Sequence, residues 1–366
     1  MTKERAYLDY YSAVDIIPTR LDVSEDRLFI QRDHLLASCG ISPWGIRGRD
    51  VIEVGTGTGQ KARHILARSP RSYTAIDMNP ASLSATSQAV EPWQGSVDIS
   101  VLTLDVSSSP VPRDADLVIA ECVIPLQLEP APFLSRLAEA VRPGGILLIT
   151  TADAISTLSE IMRRTLARQL GLLDGEPLSA AAAVAEFFAE DRRHLTGMTR
   201  LPVDWALDQI VHPWSGRLFG MDEAIDALPD FAPLGSSPRL CGSYAWYKEC
   251  ESFPDTLRNH WRESYWSHAH NLVDRRLPIT TRDGGRNREL RQLSDQVYAL
   301  EAAPLAQLSD VLDELATNLA EIAAPTLSSL TAARTAIDSG DPTSLAPMRP
   351  WWGYGTQYIA FTRIAA

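Results

Sequence analysis

Between residues 50 and 150, short apolar runs alternate with helix-patterned segments, and few folds accept that alternation. "DVIEV" leads into "GQKARHILARS", where Ala62, Ile65 and Leu66 keep helical spacing. "SYTAID" precedes the helix-like "PASLSATSQAV", and "VDISVLTLDV" and "ADLVIAECVI" supply third and fourth runs. "PFLSRLAEAVR" reads as a helix and "GGILLIT" as a fifth strand. Strands so continuously apolar must be covered on both faces, which calls for a parallel sheet with helices on either side. The expected class is therefore α/β, a doubly wound and mostly parallel sheet.

The chain has 366 residues, far more than this unit needs. We expect a helical cap over 1–45, a core over 46–150, and a helical lid over 151–230 that includes "LSAAAAVAEFFAE". A sixth strand and loop should fill 231–250, a second helical insertion 251–350, and a closing strand 351–366, whose "GYGTQYIAFTRI" alternates. Within 288–337, Leu290, Leu293, Val297 and Leu300, then Leu305, Leu308, Leu312, Leu315, Leu319 and Ile322, follow three-four spacing, with Pro304 and Pro325 as breaks. That stripe must be buried, in its own domain or against a second chain, and a homodimer through this segment is expected.

Residues 51–60 read "VIEVGTGTGQ". A strand that ends in glycines and opens into a helix brings bare backbone close to a ligand. The dinucleotide fingerprint G-x-G-x-x-G is not met, because the third glycine, Gly59, comes one place early and Gln60 stands where it belongs. Glu53, two residues before Gly55, suits a ligand with positive charge better than a pyrophosphate. The second run ends in Asp77, where a carboxylate can accept both ribose hydroxyls. Asp105 ends the third and can accept from an adenine amino group, and Glu121 ends the fourth. The carboxyl ends of parallel strands are where open α/β sheets bind ligands.

With these residues in view, 50–150 resembles the core of the class I S-adenosylmethionine-dependent methyltransferases. "VIEVGTGTG" is similar to that family's glycine motif, "YTAIDMNP" to its ribose-acid motif, "LTLDV" to its adenine-side acid, and "VRPGGILLIT" to the approach to its fifth strand. The resemblance implies seven strands, the last antiparallel and inserted between the fifth and sixth. It implies S-adenosyl-L-methionine as cofactor and S-adenosyl-L-homocysteine as product. It also implies cofactor contacts at Glu53, Gly55, Thr56, Gly57, Thr58, Gly59, Asp77, Met78, Asp105, Val106 and Glu121. The reaction implied is an in-line displacement at the sulfonium methyl, which needs positioning more than a protein nucleophile.

The acceptor side is less constrained. Tyr11 and His212 are the candidate catalytic groups, and Tyr10, Arg20 and Trp214 the candidate substrate contacts. A loop histidine can act as a base, and an arginine can hold a carboxylate by paired hydrogen bonds. No metal site is expected, since His268 and His270, two apart, do not share a helical face. The acceptor is read as a small molecule. The competing readings are a peptide or protein acceptor, an NAD(P)-dependent oxidoreductase, and a non-catalytic cofactor-binding scaffold. The net charge of −12 argues against nucleic acid. No apolar run is long enough to span a membrane, and four scattered cysteines suit a reducing cytoplasm.

Overall fold

The computed structural model describes residue 10 and residues 20–125, 127–212, 216–243 and 246–365. In chain order the helices are α1 (Glu25–Ser38), α2 (Gln60–Leu66), α3 (Pro80–Val90), α4 (Pro130–Glu139), α5 (Leu158–Gln169), α6 (Pro177–Phe187), α7 (Met221–Ala227), α8 (Asp255–His268), α9 (Gly284–Leu300), α10 (Leu305–Ala320) and α11 (Ala324–Ser339), with shorter helical turns between them. The strands are β1 (Asp50–Val54), β2 (Ser72–Asp77), β3 (Asp98–Thr103), β4 (Ala115–Ala120), β5 (Val141–Thr151), β6 (Phe231–Ser237) and β7 (Gln357–Arg363). All seven join one sheet in the order β3-β2-β1-β4-β5-β7-β6. β7 is antiparallel to both neighbours, between the fifth and sixth strands as expected.

The chain divides into two compact units. The first comprises 1–151, 214–265 and 357–366, and the second 152–213 and 266–356. Segments on either side of β6 thus come together in the second unit.

In the first unit, alternation along β1 sends Val51 and Glu53 to one face, opposite Tyr73 and Ala75 of β2 and Leu117 and Ile119 of β4. Leu36 and Cys39 at the end of α1, and Ala62, Ile65 and Leu66 of α2, close over that face. The helix starts are local. Asn79 accepts from the Ala81 N–H just before Pro80 opens α3, a side-chain cap followed by a proline whose missing donor costs nothing there. α1 lies close along β6. A Cβ on Gly235 would fall 2.5 Å from the Cys39 carbonyl carbon, so only glycine fits there.

In the second unit, α9, α10 and α11 pack in succession, and α9 and α11 rest on α5. Leu290, Val297, Leu308, Leu312, Leu315 and Leu319 are at most 3% exposed. These six positions of the apolar stripe are therefore covered within one chain. Two adjacent arginines of α5 are also buried here. Arg163 bonds Asp191 and the carbonyls of Ser159 and Trp351, and its guanidinium carbon sits 3.8 Å from the centre of a Trp352 ring. Arg164 forks onto Glu301 at 2.8 and 2.9 Å and donates to the carbonyls of Ile210 and His212. Among the described residues, no helix is long and apolar enough to cross a membrane.

Candidate functional site

β1 ends in a turn in which Gly55, Gly57 and Gly59 have φ of +75°, +56° and +70°. Side chains rarely adopt that backbone. Two of these glycines also face protein. A Cβ on Gly55 would lie 2.2 Å from Val123 Cγ1, and one on Gly59 would lie 2.8 Å from the Thr86 Cα and 2.9 Å from the Ala89 Cβ of α3. The early third glycine thus seats the turn against the helix after β2. Thr86 completes the seat by donating to Thr56 Oγ1 and the Gly57 carbonyl.

Asp77, at the end of β2, is anchored to the same turn. Its Oδ2 accepts from the Gly57 N–H at 3.1 Å, and its Oδ1 from the Asn79 N–H at 2.9 Å. Burial pushes its pKa upward against the pull of these two N–H groups. Each carboxylate oxygen has a second lone pair beyond those bonds. Those lone pairs can accept from paired hydroxyls, and the residues present fit a nucleoside-bearing ligand at the turn. Asp105 lies two residues past β3, half-buried, with its carboxylate accepting from the Ser107 N–H and the Ser107 and Ser108 hydroxyls. Met78 is half-buried and Val106 is 4% exposed.

The two glutamates face inward. Glu53 is 3% exposed and accepts from the Tyr73 hydroxyl at 2.6 Å. Burial raises its pKa against the pull of the Tyr73 hydrogen bond. Glu121, just past β4, lies 2.5 Å from Arg32 Nη1 of α1 and 2.6 Å from Lys61 Nζ of α2. The Tyr358 hydroxyl of β7 donates to it at 3.4 Å. Burial alone would raise the Glu121 pKa, but the two cations outweigh it and hold the carboxyl down to about 2. Arg32, Lys61, Tyr73 and Tyr358 went unread in the sequence because their partners lie 20 to 237 residues away. Gln60 also has a definite task. Its amide accepts from the Leu21 N–H and donates to the Leu21 carbonyl, pinning that stretch of backbone to the start of α2.

Three of the five acceptor-side candidates fall among the described residues. Tyr11 and Trp214 lie outside the described residues. Tyr10 is helical and half-buried, and Arg20 is exposed. His212 belongs to the second unit and is 2% exposed. Burial holds its pKa down to about 4, which leaves a neutral and weakly basic imidazole at pH 7.

Residues 52–149 match the family model described as "Methyltransferase domain". A curated relative, malonyl-[acyl-carrier protein] O-methyltransferase of Chlorobium luteolum, is 33% identical over 119 residues, 32% of this chain and 44% of the relative. The chain thus spans less than half the length of that relative. Among solved structures, magnesium protoporphyrin IX methyltransferase of Synechocystis with bound SAM is 17% identical, covering 42% of this chain and 77% of its own, with a TM-score of 0.33. The N-methyltransferase NodS of Bradyrhizobium japonicum is 16% identical over 40% and 74%, with a TM-score of 0.32. Structural likenesses this low carry no argument, and the assignment rests on the sheet order, the site and the matched model. The chain therefore carries, over residues 52–149, a class I S-adenosylmethionine-dependent methyltransferase domain.

Proposed function

We propose that the chain transfers a methyl group from S-adenosylmethionine to a small-molecule acceptor, in the cytoplasm. The observation that carries this reading is Asp77, fixed by the Gly57 and Asn79 N–H groups at the mouth of the glycine turn. When bound, S-adenosylmethionine supplies an electrophilic methyl group that an acceptor takes by in-line displacement. The chain's own part is positioning. Asp77 holds the nucleoside end, Asp105 lies beyond β3 on the same side of β1, and Glu121 stays ionised beside Lys61. Malonyl-[acyl-carrier protein], the acceptor in the curated relative's name, supports a small acyl or carboxylic acceptor. A nicotinamide cofactor is disfavoured because Gln60, at the position where that fingerprint needs glycine, is spent on the Leu21 backbone.

Calorimetry tests this reading. S-adenosylhomocysteine should bind in the micromolar range, about −8 kcal/mol, and NAD should not. Asp77→Ala should weaken binding by roughly 1.5–3 kcal/mol, the scale of hydrogen bonds to a charged group. Equal affinity in that variant would remove the ribose assignment.

A further inference from the structure

Arg32, Lys61, Glu121 and Tyr358 form a charged cluster where β1, β4 and β7 meet α1 and α2. Two cations face one carboxylate. Tyr358 is neutral, since burial and the neighbouring Glu121 raise its pKa. Glu53, the remaining acid, is bonded to Tyr73, and burial raises its pKa. Of the two cations, only one reaches solvent. The Arg32 side chain is 5% exposed, whereas that of Lys61 is 31% exposed. An ammonium has three donors. Among the described residues Glu121 is the hydrogen-bond partner of Nζ, so two donors are unspent.

The direction in which this charge points matters. Lys61 follows the glycine turn by two residues, yet its ammonium reaches the end of β4. In the sheet order, Asp77 and Asp105 belong to the β2 and β3 side of β1, where the nucleoside is assigned. Glu121 and Tyr358 lie on the β4 and β7 side. Lys61 therefore turns its unspent donors away from the nucleoside end, to the carboxyl end of β4 and the amino end of the antiparallel β7. A partly exposed ammonium with two unspent donors suits a carboxylate. A phosphate dianion would meet stronger repulsion from Glu121 than a singly charged carboxylate.

We propose that Lys61 is a specificity residue that binds a carboxylate on the methyl acceptor, so that the substrates are carboxylate-bearing small molecules. This rests on the reading of the glycine turn and Asp77 as the cofactor's site. Glu121 is the positioning residue, holding the ammonium at the mouth.

The test uses the full chain saturated with S-adenosylhomocysteine and titrated with malonate as the carboxylate probe and malonamide as its uncharged counterpart. Malonate should bind saturably at millimolar concentration or tighter, and malonamide should not. Lys61→Met should weaken malonate at least tenfold, Lys61→Arg should retain most of the affinity, and both should bind S-adenosylhomocysteine within about threefold of the parent, which also reports that the variants fold. Absence of saturable malonate binding to the parent overturns the proposal, as does equal binding of malonamide. If Lys61→Met loses S-adenosylhomocysteine tenfold but keeps 5′-methylthioadenosine, which lacks the amino-acid end, the charge serves the cofactor's carboxylate and the acceptor assignment falls. A parent that binds neither nucleoside overturns the cofactor reading instead.

Discussion

At Gly55, Val123 presses against the point where a side chain would begin, on backbone at φ +75°. Gly55→Ala should therefore meet two penalties, left-handed strain of about 1–2 kcal/mol and overpacking of about 1–3 kcal/mol. Urea unfolding should show a combined loss on the order of 2–5 kcal/mol. Val123→Ala in the same chain should recover the packing part and leave the strain. A double-mutant cycle with no coupling would mean that the turn moves to relieve the contact. This residue also shows what was legible and what was not. The need for glycine was plain in "VGTGTG", but its partner is protein at Gly55 and Gly59, which spacing alone does not reveal. Asp77 was legible because a strand-end acid has few uses. Glu121 could be placed at a strand end, yet its two cations come from helices 89 and 60 residues earlier, as the numbering of Arg32 and Lys61 shows.

At the level of elements, the strands were readable because burial on both faces leaves uninterrupted apolar runs, and the helices of 284–339 because three-four spacing survives any tertiary context. The π-helical turn Ala206–Val211 was not, since nothing in "ALDQIV" departs from an ordinary helix. Nor was the grouping of 152–213 with 266–356. It depends on contacts such as Arg164 with Glu301, 137 residues apart, and Arg163 with the Trp351 carbonyl, 188 apart. The stripe's burial within one chain has a measurable consequence. Leu315 is 0% exposed on α10, and Leu315→Ala should cost about 2–5 kcal/mol through lost transfer energy and the cavity left behind. The unfolding midpoint should fall by the same amount at every protein concentration, because the leucine packs against its own chain. A midpoint that rises with concentration would place the stripe at an interface between copies.

Across the whole molecule, the two units respond to acid through different groups. In the first, Glu121 titrates near 2 when folded, against 4.5 when free. A lowered carboxylate pKa stabilises fully above the free value, and that share is lost as the pH falls from about 4.5 to 2. In the second, His212 and His270 are 2% and 3% exposed, and burial brings both down to about 4. His212 has Asp208 and Arg164 around it, and the two oppose one another; His270 has Arg282 and His268, both of which lower it further. The hydrogen bonds of His270 also demand the neutral ring. Asn287 donates its Nδ2 to the Trp266 carbonyl, which fixes the amide, and the same Nδ2 donates to His270 Nδ1, so Nε2 carries the proton toward Thr280. For a histidine with a lowered pKa, the unfolded chain takes the proton first, and stability falls as the pH drops from about 6.5 to 4. Glu160 and Asp191 of the same unit have raised pKa values, so they gain stability as the pH falls and mask the histidines in a simple acid titration. Comparison with a His212→Gln, His270→Gln chain cancels the carboxyl contributions. The parent should lose stability relative to this variant as the pH falls from 7 to 4, by roughly 3 kcal/mol per histidine, read from urea unfolding at each pH. Parallel curves for the two chains would mean that both imidazoles accept protons in the folded state as readily as in the unfolded one, and would rule out a neutral ring at His212 and the neutral tautomer of His270.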